Sequence, residues 1–358
     1  MKAVLKPDLL MGTTDGVRRE QNVLIEGNKI TSIAADKSEE NDAELIMGGQ
    51  NRILMPGITA VGTPSLFPFR YRLNNNLISV SDILSTITPT DAHYFALLAS
   101  YYFAKQGITT IIIDDPFPEQ SARAALTVGI RPIPLVSAGC YKREGDLLKE
   151  YNLISQKWSS TEGKVMIKVC DPEYFEEANE MSERVFVSYK DPPESEKIIL
   201  MGDGIKGLQH PKGNLFINTN IDPLGEWITN VKFGISIGVN SKFNVNSEAL
   251  DLITRVHLEA KKVFLGLTKW PHEIIGIKAG VISAGYLADL ILLNVDEPPG
   301  YPIDPLSPFD SVLDSIDKHI ETVFVSGDPV IDGGTVLNVG EKDFTRAVEK
   351  FNEVLEKN

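Results

Sequence analysis

The chain has little that would suit a membrane or a nucleic acid. No apolar run approaches the roughly 18 residues that a membrane span needs, and the first residues, MKAVLKPDLL, lack the apolar stretch and cleavage site of a signal peptide. The formal net charge is −14, whereas contacts to phosphates need clustered Lys and Arg. We therefore expect a cytoplasmic protein without a membrane or nucleic-acid partner.

Cysteine and histidine, the residues that supply nucleophiles and metal ligands, are scarce. Cys140 and Cys170 could form one disulfide at most, and their apolar surroundings favour two buried free thiols. None of the five histidines falls at the end of a predicted strand, and no two have ligand spacing, so we interpret them as surface or packing residues: His93, His210, His257, His272 and His319. The nucleophile elbow, the P-loop and the dinucleotide-binding glycine motif are also missing.

The middle of the chain alternates apolar strands with helical patterns. One clear helix is TPTDAHYFALLASYYFAKQG, which has a Thr-Asp start and a Gly stop. The strand candidates are the segment at Pro56, then ITTIIIDD, IRPIPLVSA, KVMIKVC, RVFVSYK, KIILMG, NLFINT and VKFGISIG. Eight such units predict an α/β fold with a (β/α)8 TIM-like barrel over about residues 56–275.

Both ends of the chain are rich in strands and tight turns. VLIEGNKITSIA has a hairpin signal at Gly27-Asn28. Near the other end, apolar strands followed by tight turns occur again in VISAGYLADLILLNVD and HIETVFVSGDPVIDGG. The pattern predicts a small composite β-sandwich built from residues 1–55 and 276–358.

The predicted barrel has two connections that are too short for an outer helix. Six residues, 191–196, separate the fifth and sixth strands, and eleven residues, 203–213, separate the sixth and seventh. A parallel crossover commonly needs a dozen or more residues. We expect a barrel eroded around strands 5–7, with the uncovered apolar surface buried by a partner subunit, in a homo-oligomer or in a complex with a related subunit.

Several segments together resemble the amidohydrolase superfamily, specifically metal-dependent hydrolases of the cytosine deaminase and triazine hydrolase type. The N-terminal VLIEGNKITSIA is followed by an apolar run into Pro56-Gly57, and a helix later leads to a Gly-x-Thr-Thr strand. The closing motif around GYLADLILL is the most specific piece, and it is carried by Gly276, Gly280, Gly285, Ala288, Asp289 and Leu290.

The resemblance implies one or two divalent metals at the carboxyl ends of the barrel strands. In the family, the ligands are a first-strand His-x-His pair, histidines on strands 5 and 6, and an aspartate on strand 8. In this sequence those positions fall on Gly62, Pro64, Ser188, Gly202 and Asn240. Glycine and proline have no side-chain ligand atom, so we predict a divergent member that lacks the metal ligands and binds no metal or other cofactor.

Carboxylates after strands are the remaining candidates for chemistry at the barrel mouth. Asp114, Asp191 and Asp203 are weak catalytic candidates, and oxygen ligands alone would suit Mg²⁺ or Ca²⁺ better than Zn²⁺. Asp115 and Asp171 are better explained as helix N-caps.

Two functions follow from this sequence. The first is a non-catalytic homologue that acts as a small-molecule-binding, regulatory or partner subunit. The alternative is a hydrolase or deaminase with an atypical site, acting on non-peptide carbon–nitrogen bonds of a small cyclic amide or aminated base. A single aspartate base would accelerate the reaction by only about 10²–10⁴-fold. Because this gain is small, it favours the first function, the non-catalytic homologue.

Overall fold

The fold is described from a computed structural model. It describes the chain apart from residues 36–41, 142–145, 159–163, 206–207, 209–210, 212, 220–223, 240, 299, 301, 315 and 357–358, and for Asp203 it describes the backbone alone.

Strands and α-helices alternate along most of the described chain. The strands are β1 (Lys2–Thr13), β2 (Gly16–Arg19), β3 (Asn22–Glu26), β4 (Lys29–Ala34), β5 (Leu45–Pro56), β6 (Ile58–Gly62), β7 (Ile108–Ile113), β8 (Arg131–Ala138), β9 (Met166–Val169), β10 (Val185–Val187), β11 (Ile198–Met201), β12 (Asn214–Ile217), β13 (Phe233–Ile237), β14 (Leu290–Asn294), β15 (Ile320–Val325), β16 (Asp328–Asp332) and β17 (Thr335–Val336). The helices are α1 (Arg70–Asn74), α2 (Val80–Thr86), α3 (Pro89–Ala104), α4 (Pro118–Val128), α5 (Leu147–Trp158), α6 (Phe175–Met181), α7 (Val245–Thr254), α8 (Ala260–Leu267), α9 (Lys269–Ile275), α10 (Pro308–Leu313) and α11 (Glu341–Glu356).

Strands β6 to β13 form a closed barrel of eight parallel strands, which confirms the predicted TIM-like fold. Each strand pairs with the next, and β13 closes the barrel on β6, with Ile237 opposite Gly62. The strands read as continuous apolar runs because both of their faces are covered, and all six residues of β7 are buried. Helix α4 ends where Gly129 takes the left-handed conformation, φ 105°, which returns the chain to β8.

The barrel is eroded where the sequence predicts it. Among the described residues between β10 and α7 there is no α-helix, and two short 3₁₀ helices, Gly202–Gly204 and Glu226–Asn230, stand in this region instead.

The strands of the eroded side are nevertheless covered by their own chain. Val187 and Phe216 are fully buried, and Leu200 is 6% exposed. The expected uncovered apolar surface is therefore not found on these strands. The formation of a homo-oligomer, or of a complex with a related subunit, stays a prediction, and these buried strands do not support it.

Strands from the two chain ends form one continuous sheet, whereas the predicted composite β-sandwich domain of residues 1–55 and 276–358 stays a prediction. Nine strands of the described chain make a continuous sheet in the order β17-β16-β15-β14-β5-β1-β3-β4, with β2 paired to β1. Strand β5 joins the two ends, since it runs parallel to β1 and antiparallel to β14. In the closing motif, Asp289 is 1% exposed and accepts a hydrogen bond from the Ser326 N–H at 2.8 Å, which gives that motif a structural role.

The chain divides into two compact units. One consists of Met1–Thr59, Phe103–Thr109 and Ala249–Asn338, and the other of Ala60–Tyr102, Thr110–Glu248 and Val339–Asn358. Helix α11 belongs to the second unit, where Phe351 packs edge-on against Phe69 and Phe95. The domain limits drawn from the sequence, 56–275 for the barrel, stay a prediction. No helix in the described chain is long and apolar enough to cross a membrane.

Candidate functional site

A cavity of about 950 Å³ lies at the carboxyl ends of the barrel strands. In a parallel barrel these ends meet at one face, where substrates are bound in this architecture. The cavity volume is within the usual range for small-molecule sites. All its lining residues belong to one compact unit.

An ion pair between Lys168 and Asp114 lies in this cavity. Lys168 is on β9, and Asp114 directly follows β7. The Lys168 ammonium donates to both carboxylate oxygens of Asp114, at 2.8 and 2.7 Å, and the two side chains are 9% and 14% exposed. Shielding from water strengthens this pair and fixes the positions of both charged groups.

Tyr141 joins this pair from the segment after β8. Its hydroxyl hydrogen-bonds Asp114, and burial, together with the negative charges of Asp114 and Asp115, raises the pKa of the Tyr141 phenol well above its ordinary value. The phenol is therefore protonated at neutral pH and donates to Asp114. We call Asp114, Tyr141 and Lys168 the mouth triad.

Asp115 is fully buried and is not among the residues that line the cavity. Its carboxylate accepts hydrogen bonds from the Ser65 N–H and hydroxyl, both at 2.7 Å, and from the Phe117 N–H at 2.8 Å. Burial raises the pKa of Asp115, and these hydrogen bonds oppose that rise. Phe117, not Asp115, is the N-cap of α4, so Asp115 instead ties the segments after β6 and β7 together. Asp171 has the expected capping role, accepting from the Glu173 N–H at 3.0 Å.

The two cysteines form a disulfide, Cys140–Cys170, so the expectation of free thiols is wrong. The two residues follow adjacent strands, β8 and β9, and their apolar surroundings gave no sign that the thiols meet. The disulfide holds together the segments that carry Tyr141 and Lys168.

A second buried carboxylate, Glu248 of α7, orders the opposite side of the mouth. It accepts from the Thr219 N–H and hydroxyl, at 3.0 and 2.6 Å, and from the Lys242 N–H at 2.9 Å. Thr219 follows β12 and Lys242 follows β13, so Glu248 ties those two segments as Asp115 ties the first two.

The remaining walls combine apolar surface with neutral hydrogen-bonding groups. The apolar part includes Leu66, Leu84, Met201 and Phe216. The polar part includes Thr63, Asn74, Asn76, Ser81, Ser85, Ser188, Asn218, Ser236 and Ser241. Such a surface suits a flat ring that also carries hydroxyl or amide groups.

Four of the five positions predicted to replace metal ligands lie within the described part of the chain. Ser188 and Gly202 line the cavity, Gly62 accepts the Asp114 N–H at 2.9 Å through its carbonyl, and Pro64 begins a 3₁₀ helix. Asn240 lies outside the described residues. Their assignment to lost ligand positions stays a prediction.

The three weak carboxylate candidates have different surroundings. Asp114 lines the cavity, whereas Asp191 is exposed, has φ 55° and is not among the lining residues. The backbone of Asp203 lies in the 3₁₀ helix after β11, and its side chain lies outside the description.

Sequence reasoning missed Lys168, Tyr141 and Glu248. The signal for Lys168 was a charge in the centre of the apolar run KVMIKVC, which is rarely tolerated without a partner.

The donor set in the cavity does not fit a divalent metal. Asp114 supplies the one carboxylate among the described lining residues, and both its oxygens bind the Lys168 ammonium, a charge that repels a cation. No group of three His, Cys, Asp or Glu side chains in the described part of the chain could hold a metal. His272, for example, is buried and bonded to the Thr268 carbonyl at 2.8 Å and the Thr59 hydroxyl.

Comparison with known proteins gives a consistent family. The sequence profile of the Amidohydrolase family matches residues 165–330. A 5'-deoxyadenosine deaminase of Methanocaldococcus jannaschii is 22% identical over 415 aligned residues, covering 94% of this chain and 97% of the relative. A 5-methylthioadenosine/S-adenosylhomocysteine deaminase of Dictyoglomus turgidum is 24% identical over 409 residues, covering 93% and 94%.

Solved structures share the fold over the full length. A triazine hydrolase variant superposes with a TM-score of 0.81 at 14% identity, covering 99% of both chains. An adenosine deaminase of Xanthomonas campestris with bound zinc gives a TM-score of 0.82 at 11% identity, covering 99% of this chain and 98% of the other.

These relatives contradict the main functional prediction, a non-catalytic homologue acting as a binding, regulatory or partner subunit. Both sequence relatives are named as deaminases and align with nearly the whole chain, so they favour the alternative, a catalytic deaminase. The error came from treating a predicted loss of the metal ligands as the loss of all chemistry. Profile and relatives agree with the motif around GYLADLILL, and together with the shared fold they support the amidohydrolase superfamily as the family of this chain.

Proposed function

We propose that the protein is a hydrolytic deaminase that replaces the amino group of an aminated nitrogen heterocycle with oxygen, in the cavity at the barrel mouth. The observation that carries the proposal is the alignment of nearly the whole chain with two relatives named as deaminases of adenine nucleosides or their thio derivatives. The substrate class we propose is accordingly an aminopurine nucleoside.

The cavity supports this proposal. Its apolar surfaces offer contacts for a purine ring, and its serine, threonine and asparagine side chains offer donors and acceptors for ring nitrogens and sugar hydroxyls. Water and ammonia are small enough to share the site with a nucleoside in a volume of about 950 Å³.

The test is ammonia release from a panel of amines: 5′-deoxyadenosine, 5-methylthioadenosine, S-adenosylhomocysteine, adenosine and cytosine. We expect ammonia from at least one adenine nucleoside, together with the corresponding keto product by mass spectrometry. Absence of turnover across the panel, with folded protein, would overturn the proposal.

A pair of serine variants locates the reaction. Ser188 lines the cavity, whereas Ser195 is exposed and is not among the lining residues. We expect Ser188→Trp to block turnover by filling the cavity and Ser195→Trp to leave it unchanged. Equal rates in the two variants would place the reaction elsewhere.

We also retain, as proposals, a cytoplasmic location, self-association or a complex with a related subunit, and the absence of a nucleic-acid partner. The disulfide argues against the cytoplasmic location, because structural disulfides are uncommon in reducing compartments.

A further inference from the structure

The mouth triad occupies the place where this architecture performs its chemistry, and its charges suit proton transfer. We propose that Asp114 and Lys168 form a metal-independent acid–base centre for deamination, with Tyr141 as their positioning residue. This inference rests on the proposed function and names the groups that would carry it out.

Asp114 and Lys168 pair a proton acceptor with a proton donor. Both carboxylate oxygens of Asp114 face the Lys168 ammonium, and a carboxylate held in this way can accept a proton from water as a general base. The ammonium of Lys168 is a proton donor, and no other cation is paired with Asp114 among the described residues. A group that can accept a proton and a group that can donate one are therefore held in contact at one place.

The surrounding chain holds the groups of the mouth triad in fixed positions. Lys168 lies on β9, and Asp114 and Tyr141 lie in the segments that follow the neighbouring strands β7 and β8. Asp115 secures the segment beside Asp114, and the disulfide joins the residues next to Tyr141 and Lys168. Acid–base catalysis depends on such fixed placement of donor and acceptor.

The proton balance of the reaction can be met by this pair. Asp114 takes one proton from water as the oxygen bonds to the amino-bearing carbon, and Lys168 gives a proton to the adjacent ring nitrogen. Asp114 then returns its proton to Lys168. As the carbon–nitrogen bond breaks, the proton of the new hydroxyl passes through Asp114 to the leaving amino group, so ammonia and the keto product form and both side chains regain their starting states.

A buried ion pair can also be purely structural, and the conservative variant Lys168→Arg separates the two roles. Arginine keeps the positive charge and the hydrogen bonds but holds its proton too tightly to transfer it. If the pair is structural, this variant keeps kcat. If Lys168 is the proton donor, kcat falls while KM changes little.

The experiment measures kcat and KM for ammonia release from 5′-deoxyadenosine, with the other nucleosides of the panel as alternatives. We expect Asp114→Asn and Lys168→Arg to lower kcat by about 10²–10⁴-fold. We expect Tyr141→Phe to lower it by about 10-fold, the effect of one lost hydrogen bond to a charged group. The matched control is Lys164→Arg, because Lys164 pairs with Glu183 at 3.2 Å on the surface, away from the cavity lining. Thermal unfolding of each variant confirms that it is folded.

The outcomes separate the two proposals. Turnover in the wild type that survives in Asp114→Asn and Lys168→Arg overturns the acid–base centre and leaves the proposed function standing. Wild-type turnover that disappears on dialysis against a chelator and returns with zinc also overturns the acid–base centre and leaves the proposed function standing. No turnover of any panel member overturns both. Loss of kcat in the two variants, with the Lys164→Arg control unchanged and the chelated wild type active, supports the centre.

Discussion

Asp115 shows how one buried carboxylate can order a barrel mouth. Its three hydrogen bonds satisfy two backbone N–H groups, on Ser65 and Phe117, that have no access to water. A buried donor left without an acceptor costs the free energy of its lost hydration. The side chain is therefore needed for the local structure beside the mouth triad.

We expect Asp115→Ala to lower the free energy of unfolding by about 2–4 kcal/mol, since it leaves two buried N–H donors unsatisfied. Asp171→Ala is the matched control, because Asp171 also follows a barrel strand but is exposed and caps one N–H. It should cost about 0.5–1 kcal/mol. Urea denaturation measures both, and equal losses would contradict the role given to Asp115.

The raised pKa of Asp115 also determines whether this group makes the folded protein more or less stable as the pH rises. Burial makes the folded state bind this proton more tightly than the unfolded chain does. The group's contribution to stability is therefore fully present below the unfolded pKa, about 4, and is lost as the pH rises through the higher folded pKa.

We expect Asp115→Asn to remove this decline in stability with rising pH. Asp82 offers a comparison of opposite sign, because the Ser79 hydroxyl and N–H lower the pKa of that exposed carboxylate. Its contribution is lost as the pH falls, so Asp82→Asn should remove a rise in stability with pH instead. Urea denaturation between about pH 3 and 7 tests both signs, and the same slope change in the two variants would contradict them.

Connections between elements, rather than the strands themselves, hold the mouth together. The Cys140–Cys170 disulfide joins the segments after β8 and β9, which are 30 residues apart in sequence. Closing a loop of this length stabilises a folded chain mainly by restricting the unfolded one.

We expect the double variant Cys140→Ser/Cys170→Ser to lose about 2–4 kcal/mol of unfolding free energy. Wild-type protein treated with a dithiol reductant should show a similar loss, while the reductant should leave the double variant unchanged. Equal stability of oxidised and reduced wild type would show that the disulfide does not support the fold.

Glu248 connects α7 to the segments after β12 and β13. We expect Glu248→Ala to lower the unfolding free energy by about 2–4 kcal/mol, because it removes the acceptor of hydrogen bonds from the buried Thr219 N–H and hydroxyl and from the Lys242 N–H. Asp251→Ala, on the same helix, removes a surface ion pair with Arg255 and should cost less than about 1 kcal/mol. Equal losses in the two variants would argue against this connection.

The elements that could be predicted from sequence are those fixed by local pattern. All eight barrel strands match apolar, β-branched runs such as ITTIIIDD, and the missing outer helices follow from connection length alone. The mouth triad could not be predicted in this way. The pairing of Lys168 with Asp114 joins residues 54 positions apart, and it depends on the barrel closing.

At the scale of the whole molecule, our proposal places a metal-independent chemistry on a fold that this chain shares with a zinc-containing deaminase. Relatives that share the barrel include an adenosine deaminase with bound zinc, whereas the cavity of this chain is built around a lysine–carboxylate pair whose oxygens are already occupied. A lysine in that position stabilises negative charge and donates protons, two tasks that a metal-bound water site also performs.

The most direct measurement is ammonia release from adenine nucleosides by protein shown by elemental analysis to be free of bound metal, compared with the same protein after addition of zinc. We predict turnover by the metal-free protein and no gain with zinc. Turnover that appears when zinc is added, in proportion to the metal bound, would contradict the claim that Asp114 and Lys168 carry the chemistry.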